Sequence, residues 1–162
     1  MRGPVMAVLA ILMAAQAMAQ EVRSADRIQN VQLTFHLIEA NGFQDDDVEI
    51  RPVVTELRKL FRFEGYRLLS KSVLHATANP GSEVSQQVAD NDGRMYNINA
   101  QVSSAGEDLV VAVTLGLVDV RYQGLIDASV RLQHGKTVVL GSARLSGQSG
   151  ALILAVTPTI DP

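Results

Sequence analysis

The chain has 162 residues, with 14 Lys and Arg against 17 Asp and Glu, a formal net charge of -3 and 47% hydrophobic residues. It has no cysteine, which excludes disulfides, thiol nucleophiles, zinc fingers and iron–sulfur clusters. The mild negative charge disfavours a nucleic-acid partner, and the 4% aromatic content disfavours a stacking platform for bases or sugars.

Residues 1–19 have the pattern of a secretory signal peptide. Arg2 is the only charged residue, residues 5–15 form an unbroken apolar run, and small residues occupy the signal-peptidase positions Ala17 and Ala19. The run is too short for a membrane-spanning helix, which needs about 20 apolar residues. We expect cleavage after Ala19 and export to the periplasm or outer membrane of a bacterium, with no stable transmembrane span afterwards; an uncleaved anchor is the alternative.

The beginning of the mature chain contains one strand and one helix. After a polar, flexible lead-in at 20–30, apolar and polar residues alternate over 31–41, which predicts a strand with one buried face. An acidic run at 45–49 then precedes Pro52 and a set of apolar residues at helical spacing. This arrangement predicts one amphipathic helix near residues 52–63, with the acids at its positive N-terminus.

From residue 66 onward the pattern is typical of β-structure. The predicted strands are 66–77, 83–88, 96–102, 109–118, 125–132, 137–145 and 151–157, with Pro158 as the end of the last one. Short turns separate them, which favours antiparallel pairing. The strand at 109–118 is apolar on both faces and is therefore expected to be central. The fold class is α+β and β-rich: one domain over 31–158 with mainly antiparallel sheet and one helix, then a tail at 159–162.

Two groups of residues could hold a metal, but neither has the spacing of a known site. His36, His75 and His134 are far apart in the sequence, although a zinc site assembled from all three stays open. The triplet Asp45-Asp46-Asp47 lacks the alternating ligands and the distal Glu of a calcium-binding EF-hand loop, so helix capping is the preferred interpretation. We predict no metal and no cofactor.

Two short motifs match catalytic signatures only in part. Gly135-Lys136-Thr137 is similar to the end of a phosphate-binding loop, but Val130 stands where the first glycine belongs and strand-like residues follow, which predicts a hairpin turn. Ser149 has a glycine two residues before it, as in a nucleophile elbow, but Ala151 stands where the second glycine belongs. We predict no catalytic residue and a protein that is not an enzyme.

Three segments resemble the β-core of bacterial secretins, the outer-membrane rings of secretion and pilus systems. Residues 135–143 (GKTVVLGSA) are similar to the G-x-T-V-V-L-G-G strand of that core, and residues 152–160 (LILAVTPTI) to its closing L-hydrophobic-x-V-T-P-x-I strand. Residues 31–41 are similar to its opening strand, and the order of the three is the same. The transmembrane hairpins and periplasmic N-domains have no counterpart, so the resemblance implies a minimal soluble relative without the pore.

These observations predict an exported, non-enzymatic envelope protein that acts as a structural or assembly module of secretin-type complexes. Its expected contact is an exposed sheet edge that accepts a partner strand. The candidate interaction residues belong to one short polar strand: Glu83, Val84, Ser85, Gln86, Gln87 and Val88. A periplasmic carrier of a small molecule or lipid, lined by residues 109–118, is the alternative, and an exported hydrolase that uses Ser149 and a histidine is a third.

Overall fold

The computed structural model of the chain describes residues 30–41, 45–104, 109–144 and 150–160. The predicted signal peptide, the lead-in up to residue 29 and Ser149 lie outside these residues. The described part contains one helix and eight strands: β1 (Asn30–Asn41), α1 (Arg51–Leu60), β2 (Gly65–Thr77), β3 (Glu83–Ala89), β4 (Met95–Ser104), β5 (Leu109–Val118), β6 (Gln123–Leu132), β7 (Val138–Ala143) and β8 (Ala151–Ile160). A 3-10 turn, Val48–Ile50, precedes α1.

The strands form two antiparallel sheets of four strands each. The first sheet has the order β2-β1-β8-β7, and the second has the order β3-β4-β5-β6. All six strand pairings are antiparallel. The predicted class, α+β and β-rich with mainly antiparallel sheet and a single helix, is therefore confirmed. β5 lies between β4 and β6, in the central position that its two apolar faces predicted.

The main hydrophobic core lies between the two sheets. Alternate residues of the central strands point inwards, and the side chains of Phe35, Ile98, Val113 and Leu154 are almost completely buried there. Cα atoms of β2 and β3 approach within 8 Å of each other, as do those of β6 and β7. The outer strands of the two sheets therefore lie next to each other on both sides of the core.

A second, smaller core lies between α1 and the outer face of the first sheet. Val53, Val54 and Leu57 of the helix are buried against Ile38 of β1 and Ile153 of β8, among others. The first sheet is consequently covered on both faces, which explains why β1 and β8 are buried along most of their length.

The helix ends three residues earlier than the sequence predicted. Phe61 has an extended backbone (φ -128°, ψ 147°), and its N–H donates the last bond of the helix, to Leu57. Phe61 and Phe63 then turn back towards Tyr66, with the Phe63 and Tyr66 ring centroids 6.3 Å apart in an edge-to-face arrangement. The apolar residues after Leu60 thus belong to a connection that packs against β2, and not to a further turn of helix.

β8 continues through Pro158 to Ile160, so the predicted strand end at Pro158 is wrong. The backbone oxygen of Pro158 accepts a hydrogen bond of 2.8 Å from the N–H of Gly135. Because the nitrogen and oxygen of one strand residue point to the same edge, the proline nitrogen also faces this turn and not β1. β7 pairs with β8 only from Val156 backwards, so the missing N–H interrupts no ladder.

Candidate binding surface

The predicted interaction strand, residues 83–88, lies at the edge of the second sheet as β3. Its outward edge faces β2, and the Ser72 hydroxyl of β2 donates a hydrogen bond to the Gln86 side-chain oxygen. On the other side β3 pairs with β4, where Asn99 donates to Glu83. The interaction role of this strand stays a prediction. The edge that was expected to accept a partner strand already lies next to β2.

The three histidines are not brought together. His36 is 7% exposed on the outer face of β1, whereas His75 and His134 are exposed on β2 and in the turn before β7. Among residues 30–41, 45–104, 109–144 and 150–160, no three His, Asp or Glu side chains are grouped closely enough to hold a metal ion.

The acidic run before the helix has structural partners. Asp47 accepts the N–H of Glu49 at 3.1 Å and so caps the 3-10 turn, while Asp46 forms an ion pair of 2.8 Å with Arg58 of α1. These contacts agree with the capping interpretation, because a carboxylate near a helical N-terminus compensates unpaired N–H groups.

The glycine of the partial phosphate-binding motif forms a hairpin turn. Gly135 has a φ of +70°, a conformation that glycine adopts without strain. The Thr137 hydroxyl lies 2.8 Å from the Thr157 hydroxyl on β8, and a strand follows in place of a helix. The motif is therefore a link between β6 and β7, with no helix N-terminus for a phosphate.

An exposed apolar surface lies at the end of the second sheet, where β5 turns into β6. Val118 of β5 and Met95 of β4 are directly opposite each other on the outer face of the sheet. Val120, in the connecting loop, is 96% exposed. We call Met95, Val118 and Val120 the hairpin surface. A hollow of about 330 Å³ beside it is lined by Gly93, Arg94, Met95, Leu117, Val118 and Asp119.

A buried carboxylate holds the strand end that carries Met95. Asp90 accepts the backbone N–H groups of Asp92 and Arg94 at 2.9 Å each, and its second oxygen accepts the Tyr96 hydroxyl at 3.1 Å. Burial raises the pKa of Tyr96 to about 12, so the hydroxyl stays protonated and donates. These hydrogen bonds fix the β3–β4 turn next to the hairpin surface.

The sequence did not predict the hairpin surface or the exposed ring of Tyr122, because residues 119–122 lie between two predicted strands and follow no period. The composition of this loop could have indicated them, because Val120 and Tyr122 have large side chains with apolar surface, whereas Asp119 and Arg121 in the same loop are charged. Their exposure depends on how β5 and β6 pair, which the alternation of each strand alone does not determine.

A scan against protein-family models and searches of the curated proteins and of the solved structures each find no match. In the part of the chain that the structure describes, no helix has the length and apolar character needed to cross a membrane.

Proposed function

We propose that the protein is a non-enzymatic binding module of the bacterial cell envelope, which docks on a protein partner through the hairpin surface. The observation that carries this proposal is the exposure of Val120 beside the paired side chains of Met95 and Val118, next to a hollow. Single exposed apolar residues are common on proteins, whereas several apolar residues at one end of a sheet, next to a hollow, are typical of a binding surface.

The charges around the hairpin surface favour a protein over a membrane or a nucleic acid. Arg94 lies 3.8 Å from Asp92, and Arg121 follows Asp119 in the loop, so both signs of charge are present. Anionic lipids and nucleic acids are recognised by clusters of positive charge. A mixed rim around an apolar centre with Met and Arg is characteristic of protein–protein interfaces.

The segments that resemble secretins support a role in the envelope. Residues 31–41, 135–143 and 152–160 correspond to β1, to β7 with its preceding turn, and to β8, which are neighbours in the first sheet. We therefore propose a partner within a secretin-type secretion or pilus complex, reached after export directed by residues 1–19.

We favour docking through the side chains of the hairpin surface over the addition of a partner strand at β3, residues 83–88. Paired strands lie about 4.8 Å apart, so an inserted strand needs about twice that separation between its two neighbours. Cα atoms of β2 and β3 already approach within 8 Å, and Ser72 is hydrogen-bonded to Gln86 between them. Strand addition would have to separate the two sheets first.

The carrier and hydrolase alternatives receive less support. A carrier needs an apolar lining that is free for its ligand, but the inward side chains of β5, including Val111, Val113 and Leu115, are fully buried in the core between the sheets. The serine on which the hydrolase depended, Ser149, lies outside the described residues. Neither alternative has an observation that favours it.

The proposal is tested by crosslinking in intact cells with wild-type protein and the variant Val120→Asp. A charge at the centre of a docking surface should reduce the yield of the partner crosslink about tenfold or more, because a buried unpaired charge is costly. Val48→Asp is the matched control, since Val48 is also exposed but lies in the 3-10 turn before α1. It should leave the crosslink unchanged.

Recovery of monomer alone from the wild-type cells would contradict the proposal. So would equal crosslink yields for Val120→Asp and the wild type. A Gln86→Arg variant in β3 tests the competing contact. If only this variant reduces the yield of the partner crosslink, residues 83–88 form the interface.

A further inference from the structure

The ring of Tyr122 lies over Gly116 on the outer face of the second sheet. A Cβ atom built on Gly116 would lie 2.2 Å from both Cζ and the hydroxyl oxygen of this ring, so only glycine leaves room for it. Tyr122 is 60% exposed, which leaves ring surface open to solvent. Aromatic cover of a strand glycine stabilises a sheet, and here the covering ring is also partly exposed to solvent.

A hollow of about 400 Å³ opens beside the Tyr122 ring. It is lined by Thr114, Leu115, Tyr122, Gly124, Leu125, Ile126 and Asp127. Thr114 and Asp127 are directly opposite each other on β5 and β6, so a hydroxyl and a carboxylate share the outer face with the ring. The hollow therefore combines one apolar wall with a small number of polar groups, as ligand sites do.

Two side-chain amides extend this polar surface onto β4. Asn97 is directly opposite Gly116, and Asn99 is directly opposite Thr114. Asn97 accepts a hydrogen bond of 3.0 Å from the Ser85 hydroxyl, and Asn99 donates to a carboxylate oxygen of Glu83. These bonds to β3 hold both amides in place.

We propose that the hollow beside Tyr122 binds a neutral pyranose unit of a glycan chain. A pyranose has an apolar face of C–H groups, which fits an exposed aromatic ring, and a rim of hydroxyls that both donate and accept hydrogen bonds. Asp127 accepts from such hydroxyls in charge-assisted bonds, Thr114 supplies a neutral hydroxyl in the hollow, and Asn97 lies outside the hollow on the same face of the sheet. The carboxylate disfavours phosphate and nucleic acid, and the polar floor disfavours a lipid chain.

This site is independent of the proposed protein docking, because it uses Tyr122 and Asp127 and none of the three residues of the hairpin surface. The proposal also departs from an expectation based on composition. The low aromatic content disfavoured a stacking platform, but a percentage averaged over the chain does not say where a single ring lies or what holds it.

The test is a titration of nitrogen-15-labelled protein with two neutral β-1,4-linked oligosaccharides, N-acetylchitohexaose and cellohexaose, followed by backbone amide NMR. We expect at least one of them to shift the amides of Thr114, Gly116 and Gly124. Tyr122→Ala should weaken binding about fivefold or more, which corresponds to about 1 kcal/mol or more at roughly 1.4 kcal/mol per factor of ten. Tyr122→Phe, which keeps the ring, should bind nearly as the wild type does.

Three controls make the result decisive. Tyr122→Phe keeps an aromatic ring over Gly116, so its fold should be unchanged. If Tyr122→Ala loses sugar binding because the protein is partly unfolded, its amide spectrum will show the unfolding. Asp127→Asn should weaken binding severalfold while leaving the fold intact. Val120→Asp should bind the sugar as the wild type does, which separates this site from the docking surface.

The proposal is overturned if neither oligosaccharide shifts these amides at millimolar concentration. It is also overturned if the shifts occur elsewhere on the molecule, or if a folded Tyr122→Ala protein and the Asp127→Asn variant bind as tightly as the wild type.

Discussion

His36 is the one buried histidine of the three in this chain, and its surroundings favour the neutral form. It lies between β2 and β8, directly opposite Lys71 on one side and Ala155 on the other. Burial lowers its pKa below the usual value, the positive charge of Lys71 lowers the pKa further, and Glu49 opposes them weakly. Its Nδ1 atom is buried and has no hydrogen-bond partner in the described part of the chain.

This environment predicts a pH-dependent stability. Since the pKa of His36 is lower in the folded than in the unfolded chain, the unfolded chain binds more protons just below about pH 6.5. The contribution of His36 is therefore complete above that pH and is lost as the pH falls towards the folded-state pKa, by at most about 1.4 kcal/mol per pH unit. In His36→Gln this part of the pH dependence should disappear.

Urea unfolding at several pH values between about 5 and 8 measures the effect. His75→Gln is the matched control, because His75 is exposed on the neighbouring strand. The difference between the wild type and His36→Gln should change with pH. A constant difference would contradict the role assigned to the buried imidazole.

At the scale of the element, α1 offers a comparison within a single helix. Leu57 is 0% exposed and packs on the first sheet, whereas Leu60, one turn later, is 64% exposed. Leu57→Ala should lower the free energy of unfolding by about 2–5 kcal/mol, the usual cost of removing a buried leucine side chain. Leu60→Ala should change it by no more than about 0.5 kcal/mol.

Chemical denaturation of both variants measures this difference directly. Similar losses for Leu57→Ala and Leu60→Ala would mean that the helix does not pack on the sheet by the face that carries Leu57. Retention of full stability by both would mean that α1 contributes little to the cooperative unit.

The elements were predictable where the apolar period is regular and uninterrupted. Alternation over 96–102 and 109–118 identified β4 and β5, and helical spacing after Pro52 identified α1. Element ends were less predictable, because they depend on partners that are distant in sequence. Pro158 remains within a strand only because its nitrogen faces the Gly135 turn, and the apolar residues after Leu60 pack on Tyr66 instead of extending the helix.

The candidate sites were even less predictable than the element ends, because they are formed by residues that are distant in the sequence. His36 lies among the polar positions of β1, and it is buried on the face of the first sheet against which α1 and the preceding 3-10 turn pack. The Tyr122–Gly116 contact forms only when the β5–β6 hairpin closes in its actual register. A single strand pattern carries no information on these contacts, since register is fixed by pairing and by the turn.

At the scale of the whole molecule, β1 and β8 join the two ends of the described chain. Val31 is opposite Ile160, and the pairing continues to Ala40 opposite Ala151. Each strand therefore lies next to the strands that precede and follow it in the sequence, and the last strand, β8, pairs with the first, β1. The two places where adjacent strands are not paired, β2 with β3 and β6 with β7, depend on side chains to hold the sheets together.

Gly141 of β7 and Ile126 of β6 make one such contact. A Cβ atom on Gly141 would lie 3.2 Å from Cγ2 of Ile126, which is tighter than an ordinary van der Waals contact. Gly141→Val should therefore overpack this contact and lower the free energy of unfolding by about 1–3 kcal/mol. The same substitution made in an Ile126→Ala background should cost much less, because the alanine removes the obstructing atoms.

A double-mutant cycle measured by urea unfolding quantifies this coupling, which should reach about 0.5 kcal/mol or more for side chains in contact. Leu132→Ala supplies the control background, since Leu132 is also buried on β6, whereas the atoms nearest to a Cβ at Gly141 all belong to Ile126. There the cost of Gly141→Val should be the same as in the wild type. An equal cost in all three backgrounds would mean that Gly141 and Ile126 are not coupled, and that β6 and β7 adjust independently at this contact.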